Sequence, residues 1–372
     1  MRRVTALGAV ALAILAGCSS TTAVSPSTTS TLPPTTSSTS TTSSTPTTTA
    51  PAVPGASLGP HVGALALVAD VGAAGMPELV ADPAAVADLA GAIVPTLTDA
   101  ARDQPAYYPA GCHAGVDAVA PLPQCVLGAA DGTVDVAVVG DSKAGQWVDA
   151  LELIAAVSGW RVHLYTKSGC PVTDYMVRVR PPDGVVRDYV ECREFAAATV
   201  AALTAPGQVP DLVLFSQGQS GRTATGDPDP AMADAVAHTW TALIGAGARV
   251  VALADVPTPT KPVADVPRCI AAHPDDYAAC RFPRNAGGGT PALLAAAREV
   301  PEVTFVDMGD WVCPMPAGCP TVVGGVLVYR QSSHLTRTFV RSLAPILQRA
   351  LVAAGAVDGP EMPLAPVGSV GS

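Results

Sequence analysis

Three short stretches of this chain carry groups able to do covalent chemistry. The first is AVVGDSKAGQW, residues 137–147. A run of small and β-branched residues ends in Gly140-Asp141-Ser142, and a helix-compatible stretch follows. Ser142 falls at a helix N-terminus, where backbone N–H groups and the dipole favour a developing negative charge. A serine there is either a nucleophile or a helix cap, and the residue types alone leave both open. The second stretch is YRQSSHLT, residues 329–336. His334 precedes the last helical stretch and is the histidine whose setting suits a general base. His61, His113, His163, His238 and His273 lack a comparable setting, and His163 sits inside a strand pattern and reads as structural. The third is TKSGCP, residues 166–171, where Gly169 offers an unobstructed N–H for an oxyanion or simply makes a turn.

These residues need a scaffold that gathers them. Strand patterns occur at 134–140, 160–166, 210–217, 249–256 and 303–309. Helical patterns occur at 144–157, 191–205, 229–247, 291–300 and 335–355, with Pro345 expected to kink the last. Five strands alternating with helices predict an α/β fold with a parallel five-stranded sheet covered on both faces. Such sheets collect ligands beyond the C-terminal ends of their strands. Ser142 and Gly169 follow two of those ends, and His334 can reach the same edge. Residues 82–94 also have helical spacing, starting at Asp82-Pro83.

The N-terminus, MRRVTALGAVALAILAGCSS, has a basic start and a short apolar run. That is the pattern of an export leader, and Leu15-Ala16-Gly17-Cys18 resembles a bacterial lipobox. Cys18 is then expected to carry a lipid that anchors the protein at the outer face of the bacterial cell membrane. Residues 19–54 are almost entirely Ser, Thr and Pro, a composition expected to stay disordered as a stalk. Residues 55–130 read as a helical lead-in with the first disulfide loop, 131–357 as the main domain, and 358–372 as a loose tail.

Beyond Cys18, eight of the nine cysteines remain. An even number behind an export leader predicts disulfides. Neighbour pairing brackets one loop region each: Cys112–Cys125, Cys170–Cys192, Cys269–Cys280 and Cys313–Cys319. No C-x-x-C pair suggests zinc. The net charge of −10 and the 4% aromatic content argue against nucleic acid as a partner.

Gly140-Asp141-Ser142 with Ala144 and Gln146-Trp147, Lys167-Ser168-Gly169-Cys170-Pro171, and Tyr329-Arg330 with His334-Leu335-Thr336 together resemble the SGNH-hydrolase superfamily. The resemblance is to SGNH domains fused to, or accompanying, bacterial membrane acyltransferases that O-acylate cell-surface glycans. It spans most of residues 100–355. It implies a flavodoxin-like three-layer α/β/α sandwich. It also implies Ser142 as nucleophile, His334 as general base, and the Ser142 and Gly169 N–H groups as oxyanion donors, with no metal or cofactor. An acyl ester or cell-envelope glycan is the implied substrate, and a membrane acyltransferase the implied partner.

The sequence departs from that pattern at three places. Lys143 stands where the family has His, and Gln331 where it has the triad acid. The family's Asn has no clear counterpart, although Gln217 and Gln219 lie in the corresponding stretch. Losing the acid of a serine protease triad costs turnover about 10⁴-fold. Asp307 and Asp310, after the fifth strand, are the nearest replacement acids by topology. Two functions follow: an exported serine esterase or O-acyltransferase acting on small O-acyl groups such as acetyl, or a degenerate domain that binds glycan or an acyltransferase without turnover. A solute-binding lipoprotein would need two similar α/β lobes, and the chain shows one strand–helix series.

Overall fold

The β-branched runs and the alanine-rich stretches between them fold as alternating strands and helices. The computed structural model describes residues 62–68, 92–122, 125–181, 183–315, 318–359 and 362–364. The leader, Cys18, the stalk and most of the helix expected at 82–94 lie outside the described residues.

Along the chain, β1 (Val126–Gly128) and β2 (Val134–Gly140) precede a short helix α1 (Ser142–Gly145), helix α2 (Val148–Ser158) and β3 (Trp160–Thr166). A hairpin of β4 (Arg178–Val179) and β5 (Arg187–Asp188) leads to α3 (Val190–Thr204), β6 (Leu212–Ser216), α4 (Pro230–Ala246) and β7 (Arg249–Leu253). Then come α5 (Val266–Ala272), α6 (Thr290–Glu299), β8 (Thr304–Val306) and α7 (Gly309–Val312). Two hairpins follow, β9 (Val322–Val323) with β10 (Val326–Leu327) and β11 (Tyr329–Gln331) with β12 (His334–Leu335). Helices α8 (Arg337–Ser342) and α9 (Ala344–Ala353) close the fold.

The main sheet has the order β1-β3-β2-β6-β7-β8. Strands β3, β2, β6, β7 and β8 are parallel, as the strand–helix alternation predicts. A sixth strand corrects the five-strand expectation: β1 adds antiparallel to the β3 edge, with Leu127 opposite Val162. Three residues carry no readable period. They are held because Cys125, tied into the first disulfide, accepts the Leu164 N–H at 3.1 Å.

Alternation along β2 divides the core. Val136 and Val138 face one layer with α2, α8 and α9, including Leu151, Ile154, Phe339 and Leu347. Ala137 and Val139 face the other with α3, α4 and α6, including Phe195, Trp240 and Leu293. Burying each large apolar side chain is worth roughly 1.5–3 kcal/mol. The lead-in belongs to the first layer, since Ala64, Leu67 and Ala100 are buried there. Two helices expected to be continuous are divided. The first breaks at Gln146-Trp147 into α1 and α2, and the last breaks at Leu343, with Pro345 in the first turn of α9.

All four neighbour disulfides are present, Cys112–Cys125, Cys170–Cys192, Cys269–Cys280 and Cys313–Cys319.

The end of β2 has no room for a side chain. Gly140 has φ +139°, and a Cβ there would come 1.8 Å from the Ser216 carbonyl oxygen at the end of β6. Gly159, which ends α2 at φ +66°, has nothing within 4 Å of its Cβ position. Gly140→Ala is therefore expected to push β2 and β6 apart and prevent cooperative folding. Gly159→Ala is expected to cost about 1–2 kcal/mol, the penalty for a left-handed alanine. Urea denaturation of both variants checks this, and equal losses would contradict it.

Candidate active site

Gly140 turns the chain sharply out of β2, and Asp141 caps α1. The Asp141 carboxylate accepts the Lys143 N–H at 2.8 Å and, with its other oxygen, the Gly218 N–H at 2.9 Å. Asp141 is thus the cap, and Ser142 occupies the first helical position. Burial pushes the Asp141 carboxyl up to about 6.

The Ser142 hydroxyl is free for another partner. His334 begins β12, and a two-residue turn (Ser332-Ser333, with Ser332 at φ +46°) aims it at α1. His334 Nε2 lies 2.8 Å from Ser142 Oγ, across 192 residues of sequence. Its other ring nitrogen, Nδ1, is buried and has no hydrogen-bond partner. Burial first, and then the nearby Lys143, Arg330 and His113, lower the imidazole pKa to about 3.

Lys143 explains how the two halves are held in register. Its side chain is buried, and Nζ donates to the Ser333 carbonyl at 2.6 Å and pairs with Asp255 at 2.9 Å. Asp255, just past β7, also accepts the Gly288 N–H at 2.8 Å and the Val256 N–H at 2.8 Å. One ammonium group therefore ties the serine turn, the histidine turn and the end of β7 together. Sequence reasoning missed Asp255; its signal was an acid directly following an apolar strand.

Gly169 follows β3 with φ +62° and is exposed. The Lys167 N–H donates to the Gly140 carbonyl at 3.1 Å, which fixes this turn beside the serine turn. Lys167 itself is buried, with Nζ donating to the Gly115 and Val116 carbonyls at 2.6 and 2.7 Å. Gln219 donates its amide N–H to the Gly169 carbonyl at 3.1 Å, so it belongs to the site wall. Gln217 is buried and bonds the Gln219 carbonyl at 2.6 Å.

The replacement acids do not reach the histidine. Asp307 accepts the Gly309 N–H at 2.7 Å, and Asp310 pairs with Arg284 at 2.5 Å. Gln331 pairs with His334 through the backbone register, and its side chain is exposed. Asp307 lies one residue past β8 and is engaged by its own turn, while Asp310 lies four residues past it and is engaged by Arg284. His163 is a strand residue bonded to Asp135 at 2.9 Å, in keeping with a structural role. His113, in contrast, stacks on Tyr108 with ring centroids 4.4 Å apart, close enough to His334 for its charge to act there. A histidine beside the disulfide residue Cys112 and after a Tyr-Tyr pair was the available signal.

A cleft of about 550 Å³ opens beside Gly218 and Gln219, with Tyr175, Arg178 and Arg222 on its walls.

Two expectations follow. Breaking one partner of a buried ion pair costs about 3–5 kcal/mol. Lys143→Met should lose that much stability, and adding Asp255→Asn should recover part of it; denaturant titration of the single and double variants checks this. His334 should stay neutral from pH 5 to 8, because burial and the Lys143 and Arg330 charges all penalise imidazolium. Imidazole NMR, assigned by difference from His334→Ala, reads this directly. A midpoint near 6.5 would contradict it.

No curated protein is significantly similar in sequence to the chain. Among solved structures, the periplasmic domain of the lipopolysaccharide acetyltransferase of Salmonella ser. Paratyphi A is similar, with a TM-score of 0.44 and 16% identity over 60% of this chain and 85% of that one. Residues 111–349 match the family described as the SGNH domain (fused to AT3 domains), an interval that includes Ser142, Gly169 and His334. On that match over most of its length, the chain belongs to the SGNH domain family.

Proposed function

We propose that the protein is an exported, lipid-anchored serine esterase or O-acyltransferase acting on small O-acyl groups, such as acetyl, of cell-envelope glycan. The observation that carries this reading is the 2.8 Å contact between Ser142 Oγ and His334 Nε2. Family membership supports an acyl-related chemistry. Four disulfides support an oxidising compartment outside the cytoplasm. Cys18 as the lipid anchor rests on the lipobox-like sequence.

In this mechanism Ser142 Oγ attacks the ester carbonyl while His334 Nε2 takes its proton. The Ser142 and Gly169 N–H groups stabilise the oxyanion. His334 then protonates the departing alcohol oxygen, leaving an acyl-serine. Water or a sugar hydroxyl, deprotonated by the same imidazole, attacks that ester and frees Ser142. The cleft beside Gln219 is the place for the glycan, and its two arginines suit an acidic one. A membrane acyltransferase would supply acyl groups in the transferase form of the reaction.

The unpaired Nδ1 of His334 and the exposed Gln331 favour a second reading, a domain that binds glycan or an acyltransferase without turnover. Covalent labelling separates the two. The full-length, disulfide-intact protein is treated with a fluorophosphonate, beside Ser142→Ala and His334→Ala. Labelling that disappears in both variants supports the enzyme. A folded wild-type protein that never labels supports the binding domain. Gln331→Asp should speed labelling, because a carboxylate there orients and charges the imidazole, an effect worth up to about 10⁴. No gain from a folded Gln331→Asp variant would remove the triad from the account.

A further inference from the structure

The cleft beside the serine turn carries formal charges of one sign. Its volume of about 550 Å³ falls in the range of small-molecule sites, about 300–1,000 Å³. Arg178 and Arg222 line it, and among the described residues no acidic side chain does. The whole chain has a net charge of −10, so the cleft is a local reversal that draws anions. Among the described residues no carboxylate is within ion-pair distance of Arg222, whose Nη1 donates to the Gly226 carbonyl at 2.8 Å. Arg178 has a loose contact with Asp188 at 3.8 Å, with both side chains about two-thirds exposed. Asp229, beside Gly221, is taken up by the Tyr175 hydroxyl at 2.7 Å and the Ala231 N–H at 3.1 Å.

The inner end of the cleft is fastened to both turns of the candidate active site. Gly218 donates its N–H to Asp141, the neighbour of Ser142, at 2.9 Å, and the Gln219 amide donates to the Gly169 carbonyl at 3.1 Å. That bond leaves the second amide N–H and the side-chain oxygen of Gln219 for a sugar hydroxyl. Arg222 follows Gln219 by three residues, and three residues of chain span at most about 11 Å. Gly221, between them, has φ +63°, and a Cβ there would come 2.8 Å from the Tyr175 hydroxyl. The turn that delivers Arg222 is therefore pressed against the Tyr175 wall. A ligand seated at Gln219 has the Arg222 charge within reach of the same sugar or the next one.

We propose that this cleft selects an anionic glycan: the sugar presented to Ser142, or the one next to it, carries a carboxylate or phosphate that Arg222 and Arg178 bind, while Gln219 holds a hydroxyl. This names the substrate class of the site and rests on the esterase or acyltransferase reading above. A guanidinium donates in one plane to two oxygens of a carboxylate or phosphate, and a neutral sugar offers no such group. Arg178 and Arg222 are the specificity residues, and Gln219 places the sugar against the Gly169 turn.

The test uses the full-length, disulfide-intact protein and two matched pairs of oligosaccharides. Tetragalacturonate is compared with its methyl ester, and mannopentaose phosphate with mannopentaose. Binding is read by calorimetry at low and at physiological ionic strength. The expected result is saturable binding of an anionic member, about tenfold or more tighter than its neutral counterpart. Salt should weaken it, because both guanidinium groups are exposed. Arg222→Gln and Arg178→Gln should each weaken it about three- to tenfold. Arg298→Gln removes an exposed charge on α6 that does not line the cleft, and it should leave binding unchanged. Selective binding of the galacturonate alone identifies a carboxylate, and of the phosphate alone a phosphoryl group. Equal binding of charged and neutral members, no saturable binding of either anion, or equal effects of the three arginine variants overturns the proposal. Fluorophosphonate labelling of Ser142 is read in the same samples, and a bound anion should slow it. Selective binding that leaves a measurable labelling rate unchanged also overturns the proposal, because the ligand then lies away from the serine turn. Selective, arginine-dependent binding without any labelling upholds the site and counts against the esterase reading instead.

Discussion

The site depends on one buried ammonium. Lys143 follows the nucleophile candidate directly, and its Nζ joins the Ser333 carbonyl to the Asp255 carboxylate. Ser333 precedes His334, and Asp255 in turn organises the glycine-rich turn before α6 through Gly288 and Gly289. A buried charge is tolerated only when it is paired and its hydrogens are satisfied. That requirement fixes the distances between three segments far apart in sequence, and the 2.8 Å approach of Ser142 to His334 sits inside it. Lys143 is therefore a brace across the site.

The same charge also sets the electrostatics of the histidine. Lys143, Arg330 and His113 all oppose imidazolium, in a pocket where desolvation opposes it first. A serine–histidine pair needs imidazolium in its transition state, which is the reason triads carry an acid. Asp141 is the nearest acid on the serine turn, but its carboxylate is spent on the Lys143 and Gly218 N–H groups. The site as folded thus has Ser142 and His334 in contact, and among the described residues no carboxylate bonds the imidazole.

The rim of the sheet is held by covalent and polar ties more than by core packing. The Cys112–Cys125 bridge carries His113 and delivers the edge strand β1, while Lys167 grips the carbonyls of Gly115 and Val116 in the same loop. The Cys170–Cys192 bridge joins the Gly169 turn to α3. Loops that line a site cannot bury much apolar area, so cross-links do the work of fixing them.

Strand and helix periodicity alone determined the α/β architecture, because β2, β6 and β7 are mostly buried and read as apolar runs, while β3 alternates buried and half-buried residues. The Ser142, Gly169 and His334 candidates were legible for a related reason: in such a sheet each strand end is a known place, and these residues follow strand ends or precede the last helix. Neighbour pairing of the cysteines was legible because each pair brackets a short loop. What periodicity could not supply was β1, three residues recruited by a disulfide, and the split of the last helix at Leu343 ahead of Pro345. Nor could it say that Asp141 caps α1, that Lys143 reaches Asp255, that Asp307 and Asp310 turn to Gly309 and Arg284, or that Arg330 is buried without a partner. Those outcomes are decided by which side chains share a dry volume, and desolvation acts on groups that meet in space regardless of their separation along the chain.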